Sequence, residues 1–210
     1  LDQRDEGGLT RLHHAIGVHD VAEVRRLLRL RVHVGLATPD GRTPLMLAIA
    51  AGQYDAIHAL LGTRRAECEA IDTKGYTALL LAASKGDPYI IEMLLAAGCT
   101  ADALTPDGLN VFHCAALSGR ASAVSLLMER FSGQLNTPLT HNGWSALHMA
   151  ALSGCHEVVA VLAVCRGGDV NQRTAANLTA LHIAAIKGHT QVVRALLDVP
   201  DIDPDARSTY

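Results

Sequence analysis

Eleven histidines and five cysteines in a chain of 210 residues are the first candidates for chemistry. Imidazole and thiolate are the common ligands of zinc, and either can serve as nucleophile or general base. The cysteines, Cys68, Cys99, Cys114, Cys155 and Cys165, are odd in number and include no Cys-x-x-Cys pair. That is a poor zinc site and a poor disulfide framework, so the reading is free thiols in a reducing compartment. "HEVVA" at 156–160 opens like a His-Glu-x-x-His zinc motif but lacks the second histidine. Cys155 and His156, like His13 and His14, are sequence neighbours, and adjacent helical residues do not face one another. There is no Gly-x-Ser-x-Gly elbow and no phosphate-binding glycine loop with its lysine. The residues point to no catalytic centre, no metal and no cofactor.

What positions these side chains is a repeat. Six segments align: "GGLTRLHHAI", "DGRTPLMLAI", "KGYTALLLAA", "DGLNVFHCAA", "NGWSALHMAA" and "ANLTALHIAA". Their hydroxyl or amide residues, Thr10, Thr43, Thr77, Asn110, Ser145 and Thr179, are spaced by 33, 34, 33, 35 and 34. Two residues later stands Leu12, Leu45, Leu79, Phe112, Leu147 or Leu181, and five later always an alanine. Offsets fourteen and seventeen carry Val24 and Leu27, Ile57 and Leu60, Ile91 and Leu94, Val124 and Leu127, Val159 and Leu162, Val193 and Leu196. These spacings predict two short amphipathic helices per repeat, with an alanine face that lets neighbours approach closely.

Glycine marks two joints. Gly8, Gly41, Gly75, Gly108 and Gly143 precede the hydroxyl position by two residues, where a tight turn calls for positive φ. Asn177 takes that place in the sixth repeat, and Asn is the residue that best tolerates a left-handed backbone after Gly. Gly52, Gly86, Gly119, Gly154 and Gly188 fall between the two helices and suit a C-cap. His19 replaces them in the first repeat, which predicts a looser or differently shaped joint there.

The pattern resembles the ankyrin repeat. "TPLM" at 43–46, "TALH" at 179–182 and "SALH" at 145–148 are similar to the Thr-Pro-Leu-His motif opening its first helix. "GHTQVVRALL" and "GCHEVVAVL" look like its second helix, and "GGDVNQR" at 167–173 like the finger that follows. The resemblance implies an all-α solenoid of helix-turn-helix units with β-turn fingers. It also implies that the motif histidines, His13, His113, His148 and His182, tie adjacent loops together by hydrogen bonds. They recur about 10 Å apart, too far for one zinc ion to be shared. The motif histidine is Met46 in the second repeat and Leu80 in the third, so the stack should be less rigid there.

A repeat this small cannot bury its own apolar face, so stability must come from stacking. We expect a single domain over residues 1–210 with repeats near 5–37, 38–71, 72–104, 105–139, 140–173 and 174–206. "DPDARSTY" at 203–210 reads as half of a further finger and "LDQRDEGG" as the tail of an earlier one, so the chain is expected to be an excerpt of a longer protein. The formal charge of −3 argues against a nucleic-acid partner. Apolar runs such as "VVAVLAVC" are too short to span a membrane, and no signal peptide opens the chain. The expected setting is cytoplasm or nucleus, as a monomeric array.

Positions outside the repeat's structural pattern carry the functional reading. In the ankyrin-like fold, the residue before the hydroxyl position lies on the finger and the one seven after it on the first helix, and both tend to line the concave face. In the last three repeats these are Leu109, Trp144 and Leu178, and Leu117, Leu152 and Ile186, all large and apolar. Tyr76 and Arg42 occupy the finger position earlier. Contiguous apolar surface marks a binding site, and Trp and Tyr are common anchors. The expected partner is a protein or peptide; the competing reading is a structural or autoregulatory segment whose concave face is occupied in cis. A basic run, Arg25, Arg26, Arg29 and Arg31, echoed by Arg64 and Arg65, is a secondary candidate, weighed against the solvated back of a helix.

Overall fold

The computed structural model describes residues 2–64, 66–131, 142–163 and 169–208. Arg65 and Cys165 lie outside the described residues. Twelve α-helices and no strands occur among the described residues: α1 (Arg11–Gly17), α2 (Val21–Arg29), α3 (Pro44–Ala50), α4 (Tyr54–Gly62), α5 (Ala78–Lys85), α6 (Pro88–Ala96), α7 (Val111–Ser118), α8 (Ala121–Arg130), α9 (Ala146–Ser153), α10 (His156–Ala163), α11 (Ala180–Lys187) and α12 (Thr190–Leu197). The chain is an all-α solenoid of helix pairs, as the spacing predicts.

Each first helix begins where the hydroxyl or amide residue turns extended backbone into helix. Thr43, Thr77 and Ser145 each accept a hydrogen bond from the backbone N–H three residues on, and Asn110 accepts from Phe112 and His113. Such caps satisfy amides that a helix leaves unpaired, each contributing about 1 kcal/mol. The turn before them is left-handed: Asn177 has φ 58°, matching the glycines at the same offset. Gly41 shows why the position stays small. A Cβ there would sit 3.0 Å from the Cα of Asp72 and the nitrogen of Thr73 in the next finger.

The joint at His19 corrects an expectation. His19 has φ 60° and the amide after it bonds to Ala15, the pattern Gly52 and Gln53 make with Ala48. The joint therefore has the ordinary shape, held by a residue that accepts left-handed strain to keep it.

The contacts divide into two compact units, Leu1–Ala82 with Tyr89–Thr105, and Ala83–Pro88 with Pro106–Tyr210. Within the first, α1 packs on α3 and α2 on α4; within the second, α7, α9 and α11 pack in succession, as do α8, α10 and α12. The repeated alanines, Ala15, Ala48, Ala82, Ala115, Ala150 and Ala184, are all buried, and so are the paired aliphatics Leu27, Leu60, Leu94, Leu127, Leu162 and Leu196. Burying each such leucine contributes roughly 1.5–3 kcal/mol. In the sixth repeat Leu181 and Val193 are only half-buried.

The cysteines overturn the free-thiol reading. Cys68 and Cys99 form a disulfide with Cα atoms 5.2 Å apart, while Cys114 and Cys155 are free. Their separation of 31 is unremarkable along the chain, but one repeat length brings the loops after α4 and α6 side by side. Cysteine spacing read without the repeat misses this. Cys114 is the opposite case: burial pushes its thiol up to about 12, so it is inert filling in α7.

Candidate partner-binding surface

Two of the four motif histidines, His113 and His148, tie their helix to the next finger, whereas the buried Nε2 of His13 has no hydrogen-bond partner among the described residues. In the second unit, Nδ1 of His113 and of His148 accepts from the backbone N–H of its own cap residue, at 3.2 and 3.0 Å. Each ring therefore holds its proton on Nε2, which donates to the carbonyl of Trp144 from His113 and of Leu178 from His148, both at 3.2 Å. Burial favours the neutral ring, holding His113 down at about 4 and lowering His148; the accepting carbonyls oppose this less strongly. The residues so pinned by their backbones are two of the finger positions singled out by sequence.

Their side chains are presented unequally. Leu117 is 43% and Ile186 70% exposed, whereas Leu109, Trp144, Leu152 and Leu178 are half-buried. The indole of Trp144 lies against the imidazole of His148, ring centroids 6.0 Å apart and tilted by 57°. It therefore has a packing role that the repeat pattern did not supply. Leu152 is held by its backbone, its carbonyl facing Nε2 of His189 at 3.3 Å. Because α7, α9 and α11 pack side by side, Leu117, Leu152 and Ile186 recur at one position on neighbouring helices.

Arg42 and Tyr76 belong to the first unit. The Arg42 guanidinium lies 3.4 Å from Asp40 and 4.0 Å from Asp72. Tyr76 is half-buried, and its amide donates to the Asp72 carboxylate at 2.8 Å. Arg42 is thus already engaged in the finger framework. The basic run is exposed throughout, but Arg25 pairs with Asp55 at 3.3 Å, Arg26 with Glu23 at 3.0 Å, and Arg29 reaches the Arg25 carbonyl. Surface pairs of this kind contribute about 0–1 kcal/mol, which fits the solvated back of a helix.

Sequence reasoning passed over Tyr54 and Tyr89. Both are exposed, at 46% and 61%, and their rings meet edge-on with centroids 5.4 Å apart. The signal was available: each opens a second helix, Tyr54 as the first residue of α4 and Tyr89 as the second of α6. Among the described residues, no three His, Cys, Asp or Glu side chains are grouped to hold a metal ion, and no helix is long and apolar enough to cross a membrane.

Helix pairs capped by Thr or Ser, fingers with left-handed turns, and histidines bridging one finger to the next define a helical-repeat interaction domain. The chain belongs to the ankyrin repeat family. Profiles described as ankyrin repeats in three copies match residues 1–72, 59–138 and 79–174, and the single ankyrin repeat matches 177–209. The mouse B-cell lymphoma 3 protein homolog is 31% identical over 205 residues, covering 92% of this chain and 44% of that protein. Human ankyrin repeat domain-containing protein 63 is 33% identical over 135 residues, covering 60% of this chain and 35% of its own. The chain thus spans less than half the length of these relatives. Among solved structures, the ankyrin repeat domain of Bcl-3, described as a member of the IkappaB protein family, superposes with TM-score 0.80 at 27% identity, over 97% of this chain and 91% of that one. The human ASB11 ankyrin domain superposes at 0.81 with 22% identity, over 96% and 88%, a likeness of fold alone.

Proposed function

We propose that this chain is a non-catalytic protein-interaction module, one array of about six repeats, that holds a protein or peptide partner along the finger and first-helix surface of its last three repeats. The observation that carries the reading is the row Leu117, Leu152 and Ile186 on the successive helices α7, α9 and α11, together with the finger residues Leu109, Trp144 and Leu178. Large apolar side chains recur there although the repeat's core is already filled by other positions. Apolar surface of this kind is costly to leave in water and gains most when a partner excludes it. Arg42 and Tyr76 would set polar register on the earlier fingers. A soluble, monomeric array in cytoplasm or nucleus is part of the same reading.

The test is affinity capture with the intact chain against a Trp144→Ser, Leu152→Asp variant of matched melting temperature. A partner kept by the first and lost by the second supports the surface. Identical profiles overturn it. Capture restored only when flanking sequence is removed from a longer chain would favour occupation in cis.

A further inference from the structure

We propose that the Cys68–Cys99 disulfide is a redox-controlled clamp between the second and third repeats, the junction that Met46 leaves without a histidine bridge. It concerns the first compact unit and is independent of the partner surface proposed above.

The pairing is selective in its location. His113 and His148 each tie their repeat to the next finger through Nε2. Met46 and Leu80, buried at the same offset, have no donor to do so. The cross-link joins the loop after α4 to the loop after α6, so it ties the second repeat to the third, the junction at which Met46 supplies no histidine bridge. The same loops and fingers are also tied by the Thr100 amide to the Glu69 carboxylate at 2.9 Å, by the Thr73 amide to the Asp40 carbonyl at 3.1 Å and by Arg42 beside Asp72 at 4.0 Å. A covalent link across 31 residues restricts the opened chain far more than any one of these.

The two sulfurs are not equally reachable. Cys99 is 5% exposed, whereas Cys68 is half-buried and lines an open groove with Leu61, Gly62, Arg64, Ala96 and Ala97. A small thiol therefore enters at Cys68. A glutathione thiolate attacks Cys68 Sγ, the S–S bond breaks, and Cys99 leaves as a thiolate that takes a proton from water. A second glutathione thiolate then attacks the glutathione sulfur of the mixed disulfide, releasing glutathione disulfide and the Cys68 thiolate. Oxidation is the reverse, with glutathione disulfide as oxidant. Arg64, which lines the groove, favours an anionic thiol over a neutral one.

The test equilibrates the intact chain in glutathione buffers, counts free thiols by alkylation and mass spectrometry, and follows melting and hydrogen exchange. The bridged form should melt roughly 5–15 °C above the reduced form. Lost protection on reduction should centre on α3 to α6, and Cys68→Ser should behave as the reduced chain at every glutathione ratio. Arg64→Asn, which keeps a residue tolerant of φ 53°, should slow reduction by glutathione but not by 2-mercaptoethanol. Two free thiols in glutathione disulfide, or equal protection of α3 to α6 in both redox states, would overturn the clamp. Equal slowing with both thiols would overturn the role given to Arg64.

Discussion

Nε2 of His148 donates to the carbonyl of Leu178, 30 residues further along the chain, at 3.2 Å. The same ring accepts from the Ser145 amide at Nδ1, a bond that exists only while Nδ1 carries no proton. Protonation would put a second N–H against that amide, inside a buried site. His113 repeats the arrangement toward Trp144.

Acid should therefore loosen the second unit in a defined window. His113 is held at about 4 by burial, against an ordinary 6.5, and His148 is lowered in the same direction. Between those values the unfolded chain binds the proton and the folded chain does not, so stability is complete above about pH 6.5 and declines as pH falls toward 4. His113 alone accounts for up to about 3 kcal/mol of that loss. Denaturant titrations across this range should show the slope, and His113→Gln should flatten it. An unchanged slope in that variant would assign the acid sensitivity elsewhere.

Gly41→Ala should cost about 2 kcal/mol or more, above the usual penalty for a side chain at positive φ. The added methyl meets backbone of the neighbouring finger at 3.0 Å, which no rotamer change relieves. Gly52 provides the comparison, since its φ is 66° but a Cβ there meets nothing within 4 Å. Urea midpoints should fall further for Gly41→Ala than for Gly52→Ala; equal shifts would mean that backbone strain alone decides.

Arg31 takes φ 57° just past the end of α2, a place that Gly98 fills at φ 90° after α6. Replacing a strained side chain by glycine there should stabilise the chain by about 0.5–1 kcal/mol, provided the arginine makes no compensating contact. Arg31→Gly should raise the melting temperature by a few degrees. A lower melting temperature would show that the guanidinium is engaged after all.

How far these features are legible in sequence depends on whether one repeat determines them. The left-handed turn at Asn177 is readable because a fixed backbone offset admits few residues, and Asn after five glycines is one of them. His148 and Leu178 are readable only with the family resemblance, since their bond crosses between repeats. Cys68 and Cys99 sit at different offsets in their repeats, so no column of the alignment pairs them; only the stacked loops do. His19 misleads for the reverse reason: its side chain argues against a left-handed joint that the two helices impose regardless. The partial burial of Trp144 depends on how closely its finger leans on α9, which spacing along the chain does not specify.

Trp144 is the chain's single tryptophan, which makes the proposed partner surface observable without a label. Its half-buried indole lies beside His148 and is partly open to solvent. In the free protein its fluorescence should be quenched by acrylamide to an intermediate degree. A partner seated on Leu117, Leu152, Ile186 and Trp144 would cover the indole, shifting the emission to shorter wavelength and reducing the quenching. Leu152→Asp, which puts a carboxylate into the desolvated centre, should weaken such a complex by about thirtyfold or more, in the range of a central interface residue. Ile186→Ser at the more exposed end should weaken it less. If a complex forms while the quenching of Trp144 stays as in the free protein, the partner sits elsewhere, and the exposed pair Tyr54 and Tyr89 becomes the surface to mutate.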